Sequence, residues 1–265
     1  MMKQPLRTTI IGSGNVASAI APALERSGSI TVETVFSPTP EHAAALASRL
    51  DSAVAVSDSA AIPKDSELYL LSVKDDAIKE LARRLEPVES ALWLHTSGGV
   101  EASALMPLSP RYGVFYPLQT FSKGVDVAME EVPFFIETSM ADDLTLVEEM
   151  ARNVSPKVYH ADGKMRARMH AAAVFACNFT NHLWAVADDI LRRETGTDLS
   201  VLYPLLEETL RKAMKMRPAE AQTGPAVRGD RGVIERHAAM LADDEATLYR
   251  ILSEHIIDYT KKNQK

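Results

Sequence analysis

The stretch Thr8 to Leu24, TTIIGSGNVASAIAPAL, constrains this chain more than any other. An apolar, β-branched run meets the turn Gly12-Ser13-Gly14-Asn15-Val16-Ala17, and a helical pattern of small residues follows. In a G-x-G-x-x-A turn the first glycine permits the sharp reversal and the second lets backbone approach a pyrophosphate. The alanine lets the helix pack closely on the strand. Free N–H groups and the dipole of a helix starting near Asn15 complete an anion site. Because the turn closes a first strand and precedes a second, Gly12, Gly14, Asn15, Val16 and Ala17 read as a dinucleotide site. Pro22 removes one backbone hydrogen bond from that helix and should bend it.

The pattern repeats beyond the turn. Strand-like runs at Leu6 to Ile11, Ile30 to Phe36, Ala53 to Val56, Leu68 to Val73, Ala91 to His95 and Tyr112 to Tyr116 are interleaved with helical stretches. These are Asn15 to Ser27, Glu41 to Leu50 and Asp75 to Leu85, and the alternation predicts a doubly wound, mainly parallel α/β sheet. Phe134 to Glu137 and Lys157 to His160, with helix Asp142 to Arg152 between them, extend the sheet at one edge. After Asp162-Gly163 the character changes. Lys164 to Arg193 holds no proline or glycine, and further helical patterns follow at Leu199 to Met216, Arg231 to Leu241 and Glu245 to Lys262. The expected domains are therefore 1–162, α/β, and 163–265, all-α. A helix that long and that apolar needs burial on most sides, and a second subunit is a natural source of it.

Bulk properties exclude several classes. A formal net charge of −7 without a basic run argues against nucleic acid or an anionic membrane surface as partner. The one cysteine, Cys177, can form neither an intrachain disulfide nor a multi-cysteine metal site. MMKQPLRTTIIG lacks the apolar core of a signal peptide, and no apolar run approaches ~18 residues. The expectation is a cytoplasmic protein with no metal and a small-molecule substrate.

The second strand decides between NAD and NADP. An acidic residue at its end would hold the ribose hydroxyls of NAD. Glu33 falls in mid-strand, and the end reads Ser37-Pro38-Thr39, uncharged hydrogen-bonding groups at a helix start. Ser37 and Thr39 favour NADP, with NAD as the alternative. Ser72-Val73-Lys74 leaves the fourth strand at the C-terminal edge of the sheet, where its backbone should line the nicotinamide ribose. Lys74 and Asp75 themselves read as a solvated helix start, with Asp75 as its N-cap.

The strings LLSVKDDAI, LHTSGG, YGVFYPLQTFSKG, HAAAVFACNFTNH and TGPAVRGD resemble a family that joins a Rossmann-like NAD(P) domain to a helical C-terminal domain of unknown function. Its members are commonly labelled NADP oxidoreductases. The layout is more distantly similar to pyrroline-5-carboxylate reductase and to the β-hydroxyacid dehydrogenases related to 6-phosphogluconate dehydrogenase. The Rossmann half also loosely resembles deazaflavin-dependent reductases. The resemblance implies a helical domain that makes a dimer and an active site between the two domains. Members often carry arginine after the serine that ends the second strand, where this chain has Pro38.

Residues able to do chemistry cluster at the strand ends and on the long helix. His95-Thr96-Ser97-Gly98-Gly99 follows the fifth strand, and the β-hydroxyacid dehydrogenases bind substrate with a Ser-Gly-Gly turn, which marks His95 and Ser97. Arg166, His170, Val174, Asn178, Asn181 and His182 share one helical face. The dehydrogenase pattern Lys-x-x-x-Asn places asparagine at Asn178 and lysine at Val174, so the proton-transfer lysine is absent. His170 replaces it as acid/base. Tyr116 and Gln119 either contact substrate or pin an interface. Arg228, in the loop Thr223 to Asp230, either clamps an anion or pairs with Asp230. The reading is a homodimeric NAD(P)-dependent oxidoreductase, with catalytic candidates His170, Asn178, Ser97, His95 and Arg228. The missing lysine leaves a non-catalytic dinucleotide sensor as the alternative.

Overall fold

A computed structural model describes residues 4–263. The chain divides into two compact units after Cys177, beyond the boundary expected at residue 162. The first unit is an eight-stranded sheet in the order β3-β2-β1-β4-β5-β6-β7-β8. Its strands are β1 (Leu6–Ile11), β2 (Ile30–Phe36), β3 (Val54–Val56), β4 (Leu68–Leu71), β5 (Leu92–His95), β6 (Tyr112–Pro117), β7 (Phe134–Thr138) and β8 (Val158–His160). All neighbours pair in parallel except β6 and β7. The order reverses at β1, between β2 and β4, which creates the crevice where such sheets bind ligands.

Alternation within the buried strands supplies both faces. Leu68, Leu70, Leu92 and Leu94 pack in one cluster with Ala17, Ile20 and Leu24 of α1 (Asn15–Arg26) and Ala43 and Leu46 of α2 (Pro40–Ala47). Tyr69, Leu71 and Trp93 point the other way, onto Ile78 and Ala82 of α3 (Asp75–Arg84). The Tyr69 and Trp93 rings stack with centroids 4.0 Å apart. Helix α4 (Ala141–Arg152) covers the β7 end of the first face, and Met169 of α5 (Gly163–Ala173) packs on a smaller cluster containing Val114, Tyr116 and Phe135. Asp162 caps α5 by accepting from the Met165 N–H.

The single helix expected over Lys164 to Arg193 is broken in pitch. After α5, residues Val174–Phe179 form a π-helical segment, and α6 (Thr180–Thr195) follows. The second unit contains α6, α7 (Tyr203–Lys215), α8 (Pro218–Ala221), α9 (Arg231–Ala238) and α10 (Asp243–Asn263). Ala226, Ile234 and Ile257 form its small buried cluster. The burial expected for the long helix is not supplied here, since neither α6 nor α7 has a buried residue. Among the described residues no helix is long and apolar enough to cross a membrane.

Candidate active site

The glycine turn has the geometry its residue types require. Gly12 adopts φ +108°, and a Cβ there would stand 2.2 Å from the Ser72 carbonyl oxygen, so no other residue fits. Gly14 is different: a Cβ would meet nothing within 4 Å. Gly14 is also the N-cap of α1, with no side chain capping the helix. The first-turn N–H groups of α1 are thus left for a ligand, beside a space that only a side chain would obstruct. Ala17 is fully buried beneath, where it sets the close approach of helix to sheet.

A cavity of about 1210 Å³ passes this turn. At one end it is lined by Ser37, Thr39, His42 and Ser57 to Ser59, at the ends of β2 and β3. In the middle lie Gly12, Ser13, Gly14, Asn15 and Val16. Beyond them come Ser72, Val73 and Lys74, then Thr96, Ser97, Gly98, Tyr116, Gln119 and His170. The residues expected from sequence to line a dinucleotide therefore share one cavity, with Ala17 just under its wall. Uncapped helix N–H groups, an open Gly14 and the length of the groove fit an extended dinucleotide. Glu33 lies within β2 and does not line the cavity. Lys74, not Asp75, is the N-cap of α3, because the β4 strand ends early enough for Asp75 to enter the first turn.

The far end contains a hydrogen-bonded pair, with Tyr116 buried and His170 partly so. The Tyr116 hydroxyl and His170 Nδ1 are 2.9 Å apart, and their rings meet edge-on. Burial pushes the Tyr116 hydroxyl up to about 12. The Asp75 carboxylate adds to the shift and the Arg166 guanidinium opposes it. Gly98 makes the pair possible, since a Cβ there would lie 2.6 Å from the Tyr116 ring and 3.0 Å from His170 Cβ. Ser97 Oγ accepts from the Gly99 and Val100 N–H groups, which shapes the turn and leaves its own hydrogen for another acceptor.

His95 is turned inward and does not line the cavity. It is fully buried; Nδ1 accepts from the Ser97 N–H, and Nε2 faces the Glu101 carbonyl at 3.3 Å. Burial lowers its pKa to about 4, the Glu101 carbonyl partly offsets this, and Arg166 adds to it. It is a neutral ring that holds the Ser-Gly-Gly turn, with both nitrogens engaged. Arg166, placed by its spacing on the polar face of the helix, is also fully buried. It bonds Glu137 at 2.5 Å, the Ala161 carbonyl and the Val100 carbonyl, tying α5 to β7 and to the same turn. Its Nε is the only buried side-chain polar atom without a partner among the described residues.

Asn178 and Arg228 belong to the second unit, and both are exposed. Asp230 does not pair with Arg228; it accepts from the Val233 N–H and caps α9. Sequence reasoning left His42, Ser57 to Ser59 and Thr96 off the site. The signal for Ser57 to Ser59 was present, as they directly follow β3 at the ligand-binding edge.

Residues 7–92 match the family described as NADP oxidoreductase coenzyme F420-dependent, and residues 132–256 match a domain of unknown function, DUF2520. The solved structure of "putative NADP oxidoreductase BF3122" from Bacteroides fragilis is 40% identical, with a TM-score of 0.90 over 96% of this chain and 98% of that one. Protein TM1727 of Thermotoga maritima is 21% identical, with a TM-score of 0.69 over 97% and 100%. An imine reductase from Myxococcus stipitatus, solved in complex with NADP+, is 13% identical, with a TM-score of 0.65 over 97% and 93%, a likeness of fold. Among curated proteins none matches this chain.

Proposed function

The chain belongs to the family of NADP oxidoreductase-like proteins that join these two domains, and from that premise we propose that it transfers hydride between NADP(H) and a small polar substrate. The observation that carries the reading is the Tyr116–His170 pair at one end of the cavity that also holds the glycine turn. The nicotinamide, when bound, supplies or accepts the hydride. The protein's part is to manage the proton. With Nδ1 protonated, His170 donates to the Tyr116 oxygen, and the phenolic proton is then available to the substrate atom that gains charge. Tyr116 recovers a proton from His170, so the histidine keeps its acid/base role and exercises it through the tyrosine. Ser97 orients the substrate through its remaining O–H. For Asn178 and Arg228 we retain substrate-orienting and anion-binding roles.

Catalysis, not sensing alone, is favoured by this pair, because it offers the proton-transfer function that Val174 cannot. A homodimer through the helical unit completes the proposal. Leu210 is 63% exposed and Met214 80% exposed on α7, with Trp184 and Ile251 also exposed, an apolar area larger than a solvated helix needs. The decisive experiment titrates the protein with NADPH and NADH by nicotinamide fluorescence, then screens small ketones and imines with the cofactor that binds. Saturable turnover supports the enzyme. Tight binding of NADPH without turnover of any carbonyl or imine favours the sensor, and binding of neither dinucleotide removes the reading.

A further inference from the structure

A second cavity of about 470 Å³ opens beside the dinucleotide groove and shares Ser13, Asn15 and His42 with it. One wall is a face of α1, on which Ser18, Pro22 and Arg26 recur every four residues. The facing wall is α2 and its end, with His42, Ala45 and Arg49 at helical spacing. The segment after β6 closes the third side with Lys123, and it is tied to the glycine turn by the Asn15 Nδ2–H donating to the Phe121 carbonyl. Small residues keep the gap between the helices open, and long cationic side chains surround it.

The charge there is one-sided. Arg26, Arg49 and Lys123 line the cavity against a single carboxylate, Asp126, in a chain whose net charge is −7. Many other arginines pair with carboxylates, as in Arg111–Asp143, Arg152–Glu148 and Arg193–Glu245. Arg26, Arg49 and Lys123 make no ion pair among the described residues. A chain with surplus acids that leaves three cations unneutralised around one hollow presents a local positive field to small anions. His42, on the shared wall, lies where that field meets the end of the groove containing Ser37 and Thr39, where the chain has Pro38 and no arginine.

We propose that this cavity is a phosphate-monoester site in which Arg26, Arg49 and Lys123 hold the phosphate and His42 stands at its entrance. A phosphate of this kind has two sources: the 2′-phosphate of NADP(H), or a separate phosphorylated small molecule beside the cofactor. The first source rests on the dinucleotide reading above and the second does not.

The test is calorimetric titration of the wild type and an Arg26→Ala/Arg49→Ala double variant with NADPH, NADH and inorganic phosphate. Both side chains are exposed and unpaired, so the variant should fold, and an unchanged melting temperature verifies it. If the 2′-phosphate is the ligand, NADPH binding weakens by about tenfold or more while NADH binding is unchanged. If the ligand is separate, inorganic phosphate binds the wild type and not the variant, and the NADPH-to-NADH ratio is preserved. A variant that matches the wild type for all three probes overturns the site. Should the wild type bind neither dinucleotide, the oxidoreductase reading fails on its own, and the phosphate titration still decides the cavity.

Discussion

Tyr116 and His170 are 54 positions apart in the chain and share a hydrogen bond of 2.9 Å across the mouth of the Ser-Gly-Gly turn. β6 supplies one partner and α5 the other, with Gly98 fitted between their side chains. Tyr116→Phe keeps the ring and deletes the proton. Turnover should fall by about 10²–10⁴-fold while NADPH affinity is unchanged, measured by steady-state kinetics beside a fluorescence titration. With the hydroxyl pushed up to about 12, the donor stays protonated across the working range, so Tyr116 itself should add no alkaline limb below that pH.

His95 makes stability depend on acid. Its folded pKa of about 4 lies below the value of ~6.5 for a free imidazole, so between these pH values the unfolded chain binds a proton that the native one refuses. Stability is unaffected by this group above the upper value and falls as pH drops through the window, by up to about 3 kcal/mol at its foot. Urea melts of wild type and His95→Asn across that range should converge as pH falls. Parallel curves would mean that the ring is protonated in the fold.

The two glycines of the turn should separate folding from binding. Gly14→Ala adds a methyl to open space, so the melting temperature should hold while NADPH binding weakens through obstruction of the pyrophosphate seat. Gly12→Ala forces a Cβ onto the Ser72 carbonyl at a positive φ and should cost stability of several kcal/mol. Thermal melts and cofactor titrations on the two variants, side by side, check both halves.

Arg166 is a buried charge holding three acceptors, so removing it leaves Glu137 and two carbonyls short of a donor. Arg166→Met should destabilise by about 3–5 kcal/mol in denaturant unfolding. Because the same arginine holds the Val100 carbonyl beside the Ser-Gly-Gly turn, any folded variant should also lose turnover. A variant of full stability would show the ion pair to be dispensable.

What the sequence determined by itself is local. Period-two and helical patterns located β1, α1 and β2 closely, with Ile30 to Phe36 read at the bounds the strand has, because the alternation of apolar residues that marks a strand or a helix face is written within each segment. The glycine turn was legible because its positive φ and the helix start are set within six residues, although the close approach that excludes a side chain at Gly12 comes from Ser72, which follows β4. Tertiary structure decided the rest. It took His95 out of the candidate chemistry by engaging both nitrogens with backbone, buried Arg166 on a face that looked polar, and joined Tyr116 to His170. It turned β7 antiparallel and gathered Arg26, Arg49 and Lys123 around one hollow. Those outcomes depend on which distant strands and helices pack together, and hydrophobic period along the chain carries no record of that choice.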